Sequence, residues 1–89
     1  MTGKIQRNKD VLATEIDDVL LVLSVEKGMY FGMRGVGPHI WELLETPTTP
    51  EAMVQQLLTE YDIEPDACAE QVDTFINGLR VRGLLTELE

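Results

Sequence analysis

The chain is poor in the groups that carry chemistry. It has one histidine, His39, and one cysteine, Cys68. A lone thiol makes no internal disulfide and suits a reducing compartment. One His and one Cys supply no ligand cluster for zinc or iron, so no metal or cofactor is expected. His39 falls in the first turn of an expected helix and reads as a surface or capping residue. Cys68 falls on an apolar helix face, where a thiol behaves as a small hydrophobe. Gly32, Gly35 and Gly37 follow a strand, but no Lys-Ser/Thr comes after them and the spacing is not Gly-x-Gly-x-x-Gly. That excludes a phosphate-cradling loop and leaves a strand-to-helix corner.

Long apolar runs are missing too. The longest, Val19 to Leu23, falls far short of the roughly 20 residues that span a bilayer. Residues 1–10 include Lys4, Arg7 and Lys9 but no apolar segment of the secretory kind. No membrane association is expected, and the expected location is the cytoplasm. Basic residues are scarce: seven Lys and Arg stand against sixteen Asp and Glu, for a net charge of −9. Residues 1–44 hold six acids and five bases, and residues 45–89 hold ten acids and two bases. The acidic half repels polyanions, and nucleic-acid binding needs cations that neutralise phosphates. The acidity either keeps a small domain soluble or steers a basic partner.

What is present describes one small folded domain covering residues 1–89. Hydrophobic residues make up 44% of the 89 residues, enough for a core in a chain that buries about 60–65% of its unfolded surface. Val11 to Ile16 reads as a strand, Asp17-Asp18 as a tight turn, and Val19 to Val25 as a central strand covered on both faces. Glu26-Lys27-Gly28 reads as a hairpin loop in which Gly28 supplies a positive φ. Met29 to Met33 then returns as a third strand. This antiparallel meander leaves its first and third strands at the edges.

Three helices are expected after it. The first runs from Pro38 to Glu45, with Pro in the tolerant first turn and Trp41 as a core anchor. Thr49 is a candidate N-cap for the second, followed by Pro50 and Glu51. That helix places Met53, Val54, Leu57, Leu58 and Tyr61 on one face. The third presents Cys68, Val72, Phe75, Ile76 and Leu79 at helical spacing, with Gly83 as its C-terminal cap and Arg80 and Arg82 beside the macrodipole's negative end. Leu84, Leu85 and Leu88 form a strand-like tail. The expected fold class is α+β: a three-stranded antiparallel meander followed by three helices, in a winged helix-turn-helix arrangement.

Two features stand out from an ordinary small fold. Met29-Tyr30-Phe31 is an apolar edge strand, an aggregation hazard if bare, and the usual use of such an edge is to accept an extended peptide as one more strand. The third helix also has an uncharged flank of Ala67, Gln71, Thr74 and Gly78. Glycine in a helix interior costs about 1 kcal/mol relative to Ala. The flank either packs on the protein's own sheet or lets a foreign backbone come close.

The order of motifs then matters more than any one of them. An apolar hairpin leads into Gly28-Met29-Tyr30-Phe31-Gly32-Met33, then Val36-Gly37-Pro38-His39-Ile40-Trp41-Glu42-Leu43-Leu44. A helix follows that reaches Leu57-Leu58-Thr59-Glu60-Tyr61-Asp62-Ile63, and the last helix ends in Leu79-Arg80-Val81-Arg82-Gly83-Leu84-Leu85. Over roughly residues 8–86 the chain resembles the PqqD-like family of RiPP recognition elements. The resemblance implies a winged helix-turn-helix domain without catalytic activity. Such a domain binds the leader of a ribosomally synthesised precursor peptide and presents it to maturation enzymes (a protease, a cyclase or a radical enzyme). It also implies that the leader adds beside Met29, Tyr30, Phe31, Gly32 and Met33 and lies against Cys68, Gln71, Val72 and Phe75. Within the family the chain resembles discrete leader-binding partners, such as those of lasso-peptide pathways, working as a monomer or weak homodimer.

About six backbone hydrogen bonds at roughly 1 kcal/mol each barely exceed an association cost that starts near 4 kcal/mol. Apolar side chains of the peptide must therefore supply the rest. Two alternatives remain at this level: a winged-helix DNA-binding regulator, which the acidic half disfavours, and a dimerisation domain that pairs through the apolar strand Val19 to Val25.

Overall fold

A computed structural model describes residues 3–88. Five strands and three helices follow in the order β1 (Ile5–Arg7), β2 (Val11–Ile16), β3 (Val19–Ser24), β4 (Met29–Met33), α1 (Gly37–Leu43), α2 (Pro50–Glu60), α3 (Pro65–Val81) and β5 (Leu85–Glu87). The expected α+β plan of a three-stranded antiparallel sheet and three helices holds, with sheet order β2-β3-β4. A second sheet of two strands, β1 and β5, was not expected.

The turns follow from local chemistry. Ile16 pairs with Val19, and the intervening Asp17 and Asp18 both take positive φ, 48° and 67°. That is the mirror-image two-residue turn whose twist matches a hairpin, and Asp tolerates it better than most residues. In the next hairpin, Gly28 has φ 66° and donates its N–H to the Ser24 carbonyl at 2.8 Å. This closure ends β3 at Ser24, so Val25 belongs to the loop and is 65% exposed. The expectation that β3 is covered on both faces also needs correction. Val22 and Ser24 are buried on the inner face, whereas Leu21 and Leu23 on the outer face are only half-buried, beside the exposed Leu12, Ile16 and Tyr30.

Helix caps are as the sequence indicates. The Thr49 hydroxyl accepts from the Ala52 N–H at 3.1 Å, which satisfies one orphan donor of α2. At the other end of α3, Leu84 N–H reaches the Leu79 carbonyl and Gly83 N–H reaches Arg80. This pair of bonds is a Schellman closure around the left-handed Gly83. Helices α2 and α3 pack against each other, and the core gathers Val22, Met33, Ile40, Trp41, Leu44, Met53, Leu57, Cys68, Val72, Ile76, Leu79 and Leu84. Ile5 joins it from β1. There Ile5 pairs with Glu87, Gln6 with Thr86 and Arg7 with Leu85. The tail therefore returns to the N-terminal segment and leaves the meander uncapped. No helix is long and apolar enough to cross a membrane, among the described residues.

Candidate functional site

Strand β4 pairs with β3 alone: Met33 lies opposite Leu20, Gly32 opposite Leu21, Phe31 opposite Val22, Tyr30 opposite Leu23 and Met29 opposite Ser24. Its other rim has no strand partner among the described residues. Alternation along the strand puts Met29, Phe31 and Met33 on the inner face and Tyr30 and Gly32 on the outer face. Burial grades along the inner face. Met33 is buried, Phe31 is half-buried, and Met29 is 39% exposed. Tyr30 is 66% exposed.

Helix α3 forms the wall beside this rim. The Phe31 and Phe75 rings meet at 5.6 Å between centroids in a tilted arrangement, a favourable aromatic geometry. Two glycines allow it. A Cβ at Gly78 would stand 2.9 Å from the Phe31 ring, and a Cβ at Gly37 would stand 2.2 Å from Phe75 and 2.8 Å from Met33 Cβ. Arg82 lies over Phe31, its guanidinium carbon 4.5 Å from the ring centroid, and donates to the Gly78 carbonyl at 3.0 Å. Phe31 thus meets both a guanidinium and a helix flank lowered by glycine.

The small-residue flank packs on the protein's own sheet at one end only. Its Gly78 end packs against β4. Its other end stays open: Ala67, Gln71, Thr74 and Phe75 face Arg34, Gly35 and Val36 across a cleft of about 410 Å³. Of the residues that the resemblance points to, Phe31 and Phe75 touch, and Gln71 and Phe75 line the cleft. Cys68, Val72 and Met33 are each 1% exposed and lie in the core beneath it. They support the wall rather than form its surface, because α2 covers the apolar face of α3 on which Cys68 and Val72 sit.

The sequence does not single out Gly37, Lys27 or Arg82 for this place. It assigns both Arg80 and Arg82 to the helix dipole. Arg80 instead pairs with Glu87 at 2.7 Å, while Arg82 turns to Phe31. Lys27 donates to the Gly83 carbonyl at 3.0 Å, which places its ammonium at the same end. Elsewhere, His39 bridges α1 to the end of α2, 3.3 Å from the Tyr61 hydroxyl and 3.3 Å from the Glu60 carboxylate. No group of three or more potential metal ligands occurs among the described residues.

Comparisons with known proteins address the family and the fold. A solved structure described as TbiB1 in complex with the TbiA(beta) leader peptide is 30% identical. The match covers 94% of this chain and 98% of that one, with a TM-score of 0.78. A second, lasso peptide synthetase B1 complexed with the leader peptide, is 17% identical over 92% of this chain and 96% of that one, with a TM-score of 0.75. At that identity the second likeness speaks for the fold alone. No curated protein sequence matches. Residues 20–85, from β3 to the start of β5, match the family described as coenzyme PQQ synthesis protein D (PqqD), and the chain belongs to that family.

Proposed function

We propose that this protein is a non-catalytic, cytoplasmic peptide-binding domain of winged helix-turn-helix type. It recognises the leader of a ribosomally synthesised precursor peptide by strand addition and presents that peptide to maturation enzymes. The observation that carries the reading is the unpaired rim of β4 standing beside the glycine-lowered flank of α3. An extended peptide on that rim gains ladder hydrogen bonds from β4, and its alternate side chains fall toward the cleft. Met29, Tyr30, Phe31 and Gly32 offer the strand, Gln71 and Phe75 offer the wall, and Met33, Cys68 and Val72 hold that wall in place from below. The relative of 30% identity is itself a leader-peptide complex. The DNA-binding alternative has no support among these relatives. Cys68 is buried and His39 is engaged by Tyr61 and Glu60, which fits a non-catalytic domain.

The test uses the labelled TbiA(beta) leader, followed by fluorescence anisotropy. Phe31→Asp places a charge at the rim and removes apolar contact worth about 1.5–3 kcal/mol, so affinity falls by about ten- to a hundredfold. Leu12→Asp, on the opposite edge strand, leaves it unchanged. Equal binding by wild type and Phe31→Asp places the peptide elsewhere.

A further inference from the structure

The chain has only seven basic side chains against sixteen acidic ones. Three of the seven stand at the ends of the β4–α3 groove. Lys27 and Arg82 each donate to a backbone carbonyl at the C-terminal end of α3, of Gly83 and of Gly78. Arg34 lines the cleft where β4 ends and α3 begins. None of the three pairs with a carboxylate among the described residues, where the ion pairs are His39–Glu60 and Arg80–Glu87. The contrast with Arg80, two residues from Arg82, is direct: Arg80 takes the carboxylate of Glu87, and Arg82 does not take one.

Arg82 and Lys27 are also held in place by neutral groups. Arg82 spends one N–H on the Gly78 carbonyl and Lys27 one on the Gly83 carbonyl. A guanidinium has five donors and an ammonium three, so most of their hydrogen-bonding capacity is left over. Arg82 is positioned by the Gly78 carbonyl and the Phe31 ring, and Lys27 by the Gly83 carbonyl, before any peptide arrives. This lowers the ordering cost that weakens mobile surface ion pairs. The other end is weaker, because Glu70 shares the cleft lining with Arg34.

From this placement we infer that the groove selects an acidic peptide segment: one Asp or Glu side chain held by Arg82 and Lys27 at the start of β4, and a second, less strictly required, near Arg34. The inference rests on the site proposed above and names its substrate class. An acidic ligand on a protein of net charge −9 is the opposite of what overall charge predicts. The three cations act at contact distance, whereas exposed acids more than about 10 Å away are largely screened at 0.1 M salt. In an added strand rising about 3.3 Å per residue, the two acidic positions would lie about five to seven residues apart, the length of β4 and its flanks.

The experiment is selection of an mRNA-displayed library of random 15-residue peptides on the immobilised full chain, at 0.15 M salt. Recovered peptides are expected to share an Asp or Glu at one fixed position. Their affinity should fall about tenfold for Arg82→Glu and for Lys27→Glu, matching the loss of a charge-assisted hydrogen bond. Replacing the shared acid by Lys should restore binding to Arg82→Glu. Lys27 is exposed, so its variant keeps the fold if packing around Arg82 proves sensitive, and circular dichroism of both variants verifies this. Recovered peptides that are basic or acid-poor but lose binding to Phe31→Asp would overturn the charge inference and leave the site intact. Recovered peptides indifferent to Phe31→Asp, or no enriched peptide at all, would overturn the site and the inference together.

Discussion

The two edge strands of the meander are close to a controlled comparison. Both β2 and β4 pair with β3 on one side and present an open rim on the other, among the described residues. They differ in what stands beside them. Beyond Val11, β2 is exposed along its length, with Leu12 62% and Ile16 57% exposed. The hollow beneath it is the larger, about 560 Å³, but it is crossed by Arg7, Lys9, Glu15, Glu42 and Glu45, charges of both signs that an extended apolar segment would have to desolvate. Strand β4 instead abuts α3 through Phe31 and Phe75, and the cleft at its end is lined by Gly35, Val36, Ala67, Gln71, Thr74 and Phe75 with only two charged residues, Arg34 and Glu70. An unpaired rim by itself offers only backbone bonds, each worth roughly 1 kcal/mol net. A rim beside a shaped wall adds the side-chain burial that makes binding selective.

Two substitutions sharpen that contrast by changing the wall and leaving both rims in place. The larger effect is expected at Gly37. A Cβ there meets Phe75 at 2.2 Å and Met33 Cβ at 2.8 Å; the Phe75 ring can turn toward the cleft it lines, but Met33 is buried and its Cβ moves only with the backbone. Gly37→Ala should therefore destabilise the fold by about 1–3 kcal/mol, as overpacked cores do, read from urea unfolding midpoints. Unchanged stability would mean that the β4–α3 seam is looser than described. The smaller effect is expected at Gly78. Leucine there gains about 1 kcal/mol of helix propensity while displacing the Phe31 ring from a 2.9 Å contact. Gly78→Leu should leave stability within about 1 kcal/mol of wild type and reduce affinity for the TbiA(beta) leader about tenfold. Undiminished affinity would show that the flank takes no part in the groove.

How much of this was legible depended on distance along the chain. Thr49, Gly83, Gly28 and the Asp17-Asp18 turn act on backbone groups within a few residues of themselves, so their roles followed from residue type and position. The three meander strands and the apolar faces of α2 and α3 followed from periodicity. Strand β1 did not: Ile5-Gln6-Arg7 contains one apolar residue, and its partner Glu87 lies at the far end of the chain. The grouping of Phe31 with α3 came from the family resemblance, while the edge strand and the uncharged flank were each visible separately. Cys68, Gln71, Val72 and Phe75 share a helix, but helical spacing alone does not say which of them α2 buries. Packing leaves Gln71 at the surface and Phe75 half-buried, and it removes Cys68 and Val72. Arg82 was hidden for a similar reason. Its position fits a helix C-terminus, and only the absence of a side chain at Gly78 lets Phe31 come near enough for the guanidinium to cover it.

The most direct measurement is residue-resolved amide hydrogen exchange of the full chain, with and without saturating TbiA(beta) leader peptide. Amides of Met29–Met33 facing the open rim are expected to slow markedly when peptide is added, while those of Val11–Ile16 exchange at their original rates. Protection appearing along Val11–Ile16, or bound peptide with no new protection in Met29–Met33, would contradict it.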